Sequence, residues 1–352
     1  MLAAIAADGG SERPALREGL AQAIGNRAAA RALFERWVEQ VPTAPARAAV
    51  ALGLAARADT RPLAAPLIRA LAPEAERFED RWRLVRGAAL LGADPEIDAG
   101  LSALARDADE WRLRAAAMGA LRRRDAPSRA AVARGLLADP YPRVRVAAIE
   151  TLDALDEDDE GLATRASRDT WPMVRAAAVT ALFDRPAGRD AVRRAVGDHS
   201  ARVRHAALGA LTRGGVREAL PLVTARLEDR DEFPRVTEQA LRWGEELCVE
   251  EAGEAVLAVL RRGARGDAWA PDVDLAALAG DLAMRLGSET AREAETIARR
   301  AGTPELVRAA IERRAADPRP CRARARERLA LPPRGRGMVA SRGFRPTPRE
   351  ER

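Results

Sequence analysis

The chain has 352 residues, of which 47% are hydrophobic, 32% charged and 3% aromatic. It can therefore bury a large core while keeping a polar surface, and its many alanines favour closely packed helices over strands. Every basic residue is Arg and none is Lys, which excludes Schiff-base chemistry, a catalytic Lys and the Lys-containing phosphate-binding loop.

Charge and cysteine content restrict the function further. The net charge is +6, but residues 313–352 hold thirteen Arg and four acidic residues, so the remaining chain is mildly acidic. The two Cys residues, Cys248 and Cys321, and the two His residues, His199 and His205, lack the spacing of a metal site, and we expect no cofactor. Sparse cysteine favours a reducing compartment, so we expect a cytoplasmic location and a buried, unreactive Cys248.

The sequence contains no segment that predicts export or membrane insertion, so we expect no membrane partner. Met1–Asp8 lacks the basic region of a signal peptide, and no stretch reaches the apolar length of a membrane span. The chain starts close to its first repeat with little room for a polar cap, which favours a segment of a longer protein.

A short pattern returns ten times: an aliphatic residue, usually Arg, any residue, two small residues and an aliphatic residue. The clear copies begin at Val85, Leu113, Val144, Val174 and Val203. The weaker copies begin at Leu16, Ala46, Val236, Val273 and Val307. The clear copies are 28 to 31 residues apart and the later spacing widens to 33–37. A period of this size predicts stacked repeats, each packing on its neighbours.

Each repeat is predicted to hold two helices. In most clear copies an Asp lies five residues before the first aliphatic residue, namely Asp80, Asp139, Asp169, Asp198 and Asp231. Pro follows several of them, so Asp139–Pro142, Asp169–Pro172 and Asp231–Pro234 predict helix starts. Ala130–Leu137 and Glu218–Leu227 are typical of the second helix. At 100° per residue, the apolar arc around Val174 spans about 200° and includes Arg175.

The strings Asp139–Leu152, Asp169–Leu182 and Asp198–Leu211 resemble HEAT repeats, and more narrowly the short HEAT-like repeats named after phycobilisome lyases. The resemblance implies an all-α fold, an α-solenoid (α-α superhelix) of about ten helix pairs. We divide the chain into divergent N-terminal repeats (1–73), regular repeats (74–245), divergent C-terminal repeats (246–315) and an Arg/Pro/Gly-rich tail (316–352) predicted to be disordered.

Two series of residues recur with the repeat. The first contains Arg86, Arg114, Arg145, Arg175 and Arg204. We expect it to form a structural ladder between repeats, pairing with carbonyls or with Asp139, Asp169 and Asp198, because Arg suits planar, multi-donor contacts. The alternative is a cationic stripe for phosphate or carboxylate ligands.

The second series is aromatic: Trp82, Trp111, Tyr141, Trp171 and Phe233 lie two or three residues before the repeated pattern. We favour side chains that fill the edge between adjacent repeats. The alternative is a track that binds an extended peptide or bases, which makes these five the candidate partner-binding residues.

Other features carry less chemistry. Asp156, Asp158, Glu160 and Gly161 imitate the start of an EF-hand loop, but its twelfth position is Ser167 rather than Glu, so a solvated loop is the better interpretation. His199 and His205 are interpreted as a turn residue and a helix residue. The tail is either a solvated end or an electrostatic arm for nucleic acid.

The function that best fits these features is a non-catalytic protein–protein interaction scaffold that binds a partner on the concave solenoid surface. No Ser-His-Asp set, metal cluster or Gly-rich phosphate loop is present, so we predict that the chain is not an enzyme. One alternative is nucleic-acid binding, either DNA glycosylase-like or through the tail. Another is a HEAT-type lyase or hydroxylase, although the His-Glu dipeptides of the iron-dependent hydroxylases are missing.

Overall fold

The computed structural model describes residues 44–56, 61–72, 75–157, 159–183, 185, 188–318 and 321. The repeat predicted at Leu16, most of the divergent segment 1–73 and nearly all of the tail 316–352 lie outside these residues. The chain divides into two compact units between Leu211 and Thr212, and each unit is described by itself.

The described residues contain seventeen α-helices and no strand, so the predicted all-α fold class is confirmed. The helices of the first unit are α1 (Ala44–Ala55), α2 (Arg61–Leu71), α3 (Phe78–Ala88), α4 (Pro95–Asp107), α5 (Trp111–Arg123), α6 (Arg129–Leu136), α7 (Pro142–Leu155), α8 (Asp159–Arg168), α9 (Pro172–Leu182), α10 (Arg189–Ala195) and most of α11 (Ala201–Arg213). Those of the second unit are α12 (Leu220–Glu228), α13 (Pro234–Leu247), α14 (Gly253–Gly263), α15 (Ala270–Leu286), α16 (Ser288–Ala298) and α17 (Glu305–Ala316).

Within each unit the helices form two layers, as in an α-solenoid. The odd-numbered helices are the first helices of the repeats and pack on one another, α1 on α3, α3 on α5, α5 on α7 and α7 on α9. The even-numbered helices form the second layer, and α13, α15 and α17 repeat the arrangement in the second unit. None of the described helices is long and apolar enough to cross a bilayer.

Proline and small apolar residues explain where these helices begin and how they pack. The predicted starts are confirmed, because α7, α9 and α13 begin at Pro142, Pro172 and Pro234. Proline fits the first helical position, where its missing N–H is not needed. Two residues further on, Val144 and Val174 are completely buried. Alanines between such aliphatic residues let the neighbouring helices approach closely.

The pattern at Val85 was placed in the wrong register. The helix α3 begins at Phe78, so Val85 is its eighth residue, whereas Val144 and Val174 are the third residues of their helices. Asp80 lies inside the first turn of α3, where its buried carboxylate accepts a hydrogen bond from Arg83 at 3.0 Å. A six-residue pattern of small and aliphatic residues fits a helix at more than one place, because apolar positions recur every three to four residues.

Cys248 and Cys321 form a disulfide, so the expectation of a buried, unreactive Cys248 was wrong. Cys248 ends α13 with a left-handed backbone (φ 48°), and Cys321 follows α17. The amide of Cys321 donates to the carbonyl of Arg285, in the last turn of α15, at 3.2 Å. Stacking brings the C-terminal ends of three first helices together, which is why two cysteines separated by 73 residues meet.

We predict that this disulfide stabilises the second unit. Reduction, or the substitution Cys321→Ser, should lower the free energy of unfolding of that unit by about 2–4 kcal/mol, because the unfolded chain loses a closed loop. Hydrogen exchange measured with and without a phosphine reductant checks this, with peptides from the first unit as the internal control. Unchanged exchange in α13–α17 after complete reduction would contradict it.

Candidate functional site: the arginine ladder and the aromatic edge

In three consecutive repeats, a buried Arg binds an Asp of the next repeat. In α5, Nε and Nη2 of Arg114 donate to the two carboxylate oxygens of Asp139 at 2.7 and 3.0 Å. Nη1 donates to the carbonyls of Ala108 and Asp109 at 2.7 and 3.0 Å. This guanidinium therefore joins the loop before α5 to the loop before α7.

The same contacts return in the following repeats. Arg145 pairs with both carboxylate oxygens of Asp169 at 2.8 Å and donates to the carbonyl of Asp139 at 2.7 Å. Arg175 pairs with Asp198 at 2.9 and 2.8 Å and donates to the carbonyl of Asp169 at 2.8 Å. We call this set the arginine ladder, with the members Arg114, Arg145, Arg175, Asp139, Asp169 and Asp198. Arg204 adds a bond to the carbonyl of Asp198 at 2.8 Å.

The Asp carboxylates of the arginine ladder also fix the loop before each first helix. One oxygen accepts the amide N–H of the residue two positions later, from Tyr141 at 2.8 Å, Trp171 at 3.0 Å and Ser200 at 2.8 Å. Each Asp therefore lies two residues before the helix N-cap and not at the cap itself. Buried charges are costly unless they are paired and hydrogen-bonded, and here both conditions hold.

The pKa of Asp169 shows which effect dominates in the ladder. Burial raises this pKa. Hydrogen bonds from Arg145 and from the amide of Trp171, together with the charges of Arg145 and Arg165, lower it by a larger amount. The net pKa is below the ordinary value of an Asp. Burial likewise raises the pKa of Asp198. Hydrogen bonds from Arg175 and from the amide of Ser200 lower it by more, so the net pKa is again decreased. Both groups are therefore held as carboxylates.

Arg86 does not lie with the other members of its sequence series. It is on the exposed face of α3, five residues further along its helix than Arg114 is in α5. The fourth residue of α3, which corresponds to Arg114 in α5 and Arg145 in α7, is Arg81. Its Nε donates to the carbonyl of Ala75 at 2.7 Å, the same six-residue reach that Arg114 makes to Ala108.

Two further buried arginines were missed by the sequence analysis. Arg124, directly after α5, donates to Asp98 at 2.6 Å and to the carbonyl of Ala88 at the end of α3 at 2.9 Å. Arg185, shortly after α9, donates to the carbonyl of Leu152 in the last turn of α7 at 3.2 Å. Both donate to carbonyls in the last turn of a first helix, where each carbonyl also accepts a backbone amide. They occur in alternate repeats, so no regular spacing marks them.

In the second unit, Glu232 takes the place that the sequence assigned to Asp231. The carboxylate of Glu232 is buried, accepts the amide of Phe233 at 2.8 Å and lies 3.3 Å from Arg226. Asp231 is exposed. Glu232 reaches the equivalent position because its longer side chain compensates for lying one residue nearer to the helix.

The predicted aromatic residues divide into two groups. Tyr141, Trp171 and Phe233 are the N-cap residues of α7, α9 and α13, and they are 45%, 51% and 62% exposed. Trp269, the N-cap of α15, is 65% exposed and was missed, because it precedes its repeat pattern by four residues rather than three. Exposed rings therefore recur where first helices begin.

The other two aromatic residues are half-buried. Trp82 stacks on Phe78 with ring centroids 5.8 Å apart. Trp111, the first residue of α5, stacks on Tyr141 at 6.0 Å and lies under Arg112 and Arg143. We define the aromatic edge of the first unit as Trp111, Tyr141 and Trp171. Phe233 and Trp269 occupy the corresponding positions in the second unit.

The remaining candidates for chemistry do not assemble a site. Within the described ranges, no three His, Cys, Asp or Glu side chains are placed to hold a metal ion. His199 is exposed in the turn before α11, with Nε2 3.0 Å from Nη2 of Arg175, and His205 is exposed on α11. Asp156, from the EF-hand-like run, is exposed at the end of α7.

A cleft of about 500 Å³ lies between α2, α3 and α4 in the first unit. Most of its lining is aliphatic, including Ile68, Leu84 and Leu101, and its charged residues are Arg69, Arg81, Glu96 and Asp107. Arg69 is already paired with Asp94 at 2.7 Å. The lining has no His, Cys, Ser or Thr to serve as a nucleophile or as an imidazole base.

Comparisons with known proteins address the repeat itself. Residues 160–242 match the family model described as HEAT repeats. Among solved structures, YibA of Escherichia coli, a structural genomics target, has 15% sequence identity to this chain and a TM-score of 0.48. That match covers 76% of this chain and 97% of the YibA chain.

A second solved structure, human deoxyhypusine hydroxylase in complex with glycerol, has 17% sequence identity and a TM-score of 0.30. The match covers 76% of this chain and 96% of the hydroxylase chain. A search of curated protein sequences gave no significant match.

We predict that Arg145→Ala lowers the free energy of unfolding by about 3–5 kcal/mol, because it leaves the carboxylate of Asp169 buried and unpaired. Arg86→Ala is the matched control, and its exposed position predicts a change within about 0.5 kcal/mol. Urea denaturation followed by circular dichroism measures both. Equal effects of the two substitutions would show that the ladder does not stabilise the repeats.

The lowered pKa of Asp169 predicts a pH dependence. The stability that this carboxylate contributes is fully present above the pKa of an unfolded Asp, about 3.9, and is lost as the pH falls through the lower folded value. Asp169→Asn should therefore be less stable than the wild type at pH 7, and the difference should narrow below about pH 4. Denaturation midpoints between pH 7 and pH 2.5 test this, and a constant difference would contradict it.

Proposed function

We propose that this chain is a non-catalytic protein-interaction scaffold whose partner contacts the exposed rings at the starts of the first helices within one unit. One observation carries the proposal: Tyr141, Trp171, Phe233 and Trp269 are exposed in a structure whose other large apolar side chains are mostly buried. Aromatic side chains are enriched among the residues that dominate binding energy at protein interfaces.

The positions of these rings favour binding over a role in packing. Asp139 and Asp169 fix the loops through the arginine ladder, so Tyr141 and Trp171 are held on a rigid support and little entropy is lost when a partner orders them. The sequence placed the partner on the concave solenoid surface, and that location stays a prediction. The exposed rings lie at the helix starts instead.

No observation in the described residues favours a lyase or hydroxylase over a binding protein. The charge distribution limits nucleic-acid binding: residues 44–211 hold 27 Arg and 24 acidic residues, and residues 212–317 hold 16 Arg and 21 acidic residues. The strong basic excess belongs to residues 318–352, with 11 Arg and 3 acidic residues.

Two features give opposite indications of location. The cytoplasmic location expected from the sequence stays a prediction, whereas the Cys248–Cys321 disulfide favours an oxidising compartment, because such bonds are rare in the reducing cytosol. Alkylation of thiols in intact producing cells, followed by mass spectrometry of Cys248, distinguishes the two.

Photo-crosslinking tests the proposed function. A photoreactive phenylalanine analogue at Trp171 should form a specific crosslink to a protein in the cells that produce this chain, because the side chain lies at the contact. The same analogue at Leu90, another exposed apolar position of the first unit, is the control. Identical crosslinks at both positions, or none at Trp171, would oppose the proposal.

A further inference from the structure

We infer that the aromatic edge of the first unit binds an extended, acidic peptide segment. This inference rests on the proposed function and specifies the chemistry of the partner. The segment would place apolar ring or proline faces on Tyr141 and Trp171 and carboxylates against the exposed arginines Arg143, Arg168 and Arg202.

The apolar half of this surface is fixed by the stacking of the repeats. Tyr141 and Trp171 cap α7 and α9, which pack directly against each other. Packed helix axes are about 8–10 Å apart. Trp111 lies on the other side of Tyr141 and stacks on it at 6.0 Å, so Tyr141 has a rigid backing. The repeats that begin with α5, α7 and α9 thus each present one aromatic side chain.

An extended peptide presents side chains at intervals comparable with the 6.0 Å between the rings of Trp111 and Tyr141. A polyproline II helix has three residues per turn and rises about 3.1 Å per residue, so it presents the same face every 9 Å or so. A β-strand presents one face about every 6.6 Å, so a segment in either extended conformation can lie along the edge. Grooves lined by aromatic residues are an established way of binding polyproline II segments.

The charged half of the surface is positive and unopposed. Arg143 and Arg202 lie in the first turns of α7 and α11, and Arg168 ends α8, directly before the loop to α9. All three are exposed, and in the described part of the chain the structure shows no ion pair for them. Arg143 contacts only the ring of Trp111, at 5.9 Å.

The carboxylates in the loops before α7, α9 and α11 are already engaged, whereas Asp109, in the loop before α5, is exposed. The first turns of α7, α9 and α11 contain no acidic residue. The loops before them contain Asp139, Asp169 and Asp198, whose carboxylates are bound by arginines of the ladder. The net field at the aromatic edge therefore attracts an anion, with about one exposed guanidinium per repeat.

An acidic peptide fits this arrangement better than nucleic acid does. Nucleic-acid affinity depends on many Lys or Arg contacts to closely spaced phosphates. The aromatic edge offers three exposed arginines over three repeats, in a unit with an excess of only three positive charges over residues 44–211. One carboxylate per turn of polyproline II supplies the matching number.

The experiment measures fluorescence anisotropy of labelled twelve-residue peptides with the full chain. The probes are four repeats of Glu-Pro-Pro, with Gln-Pro-Pro and Arg-Pro-Pro repeats as charge controls and a single-stranded thymidine oligomer as the nucleic-acid probe. We expect the Glu peptide to bind at least tenfold more tightly than the Gln peptide, and raised salt to weaken it, because exposed ion pairs are screened.

Matched variants locate the binding. Trp171→Ser and Arg143→Ser should each weaken binding of the Glu peptide about tenfold, the effect of one interface anchor. Leu90→Ser and Arg86→Ser are the controls in the same unit and should leave binding unchanged. All four positions are exposed, and thermal unfolding verifies that each variant is folded.

Every other outcome overturns the inference. Equal binding of the Glu and Gln peptides, or equal effects of the Trp171 and Arg143 variants and the control variants, shows that the edge does not recognise acidic segments. Tighter, Trp171-dependent binding of the oligonucleotide assigns the edge to nucleic acid. If the Glu peptide fails while the photo-crosslink at Trp171 still captures a protein specifically, the partner class is wrong and the proposed function stands. If both fail, both are wrong.

Discussion

The stack depends on a charge that one repeat cannot neutralise by itself. Asp139 and Asp169 are buried and Asp198 is partly buried beside the loops that they order, and each is paired with an Arg of the preceding repeat. If one repeat were shifted by a residue along its neighbour, a carboxylate and a guanidinium would both remain buried without a partner, at a cost of several kcal/mol. An alanine-rich interface has few large side chains to fix its register, so this pairing supplies the specificity that packing alone gives poorly.

The ladder also explains why aromatic side chains occupy helix caps. N-cap positions usually hold Ser, Thr, Asp or Asn, whose oxygen accepts a free amide of the first turn. In α7 and α9 an Asp two residues earlier orders the loop, and Pro at the first helical position removes one donor. The cap side chain is therefore released from its usual task, and Tyr141 and Trp171 can project into solvent.

Where the repeat is regular, local sequence determines the structure. The spacing of 28–31 residues, the Pro residues at helix starts and the position of Arg175 within an apolar arc were sufficient to predict the helices and the all-α class. Prediction was weaker where a contact depends on residues that share no fixed spacing. Arg124 and Arg185 reach carbonyls that are 33 to 36 residues away, in alternate repeats only. In the second unit, Glu232 takes the role of the ladder Asp from one residue nearer to the helix, which its longer side chain allows.

The disulfide is the clearest case of a contact that no local pattern encodes, since it follows only from the stacking of α13, α15 and α17. It also changes how the second unit would respond to mechanical force. A pull on the chain beyond Cys321 is transmitted through the two sulfur atoms to Cys248, at the end of α13, so the helices α14 to α17 carry no tension. A helical stack usually unravels from its end under load, but here the last helices are outside the path of the force and the resistance begins at α13.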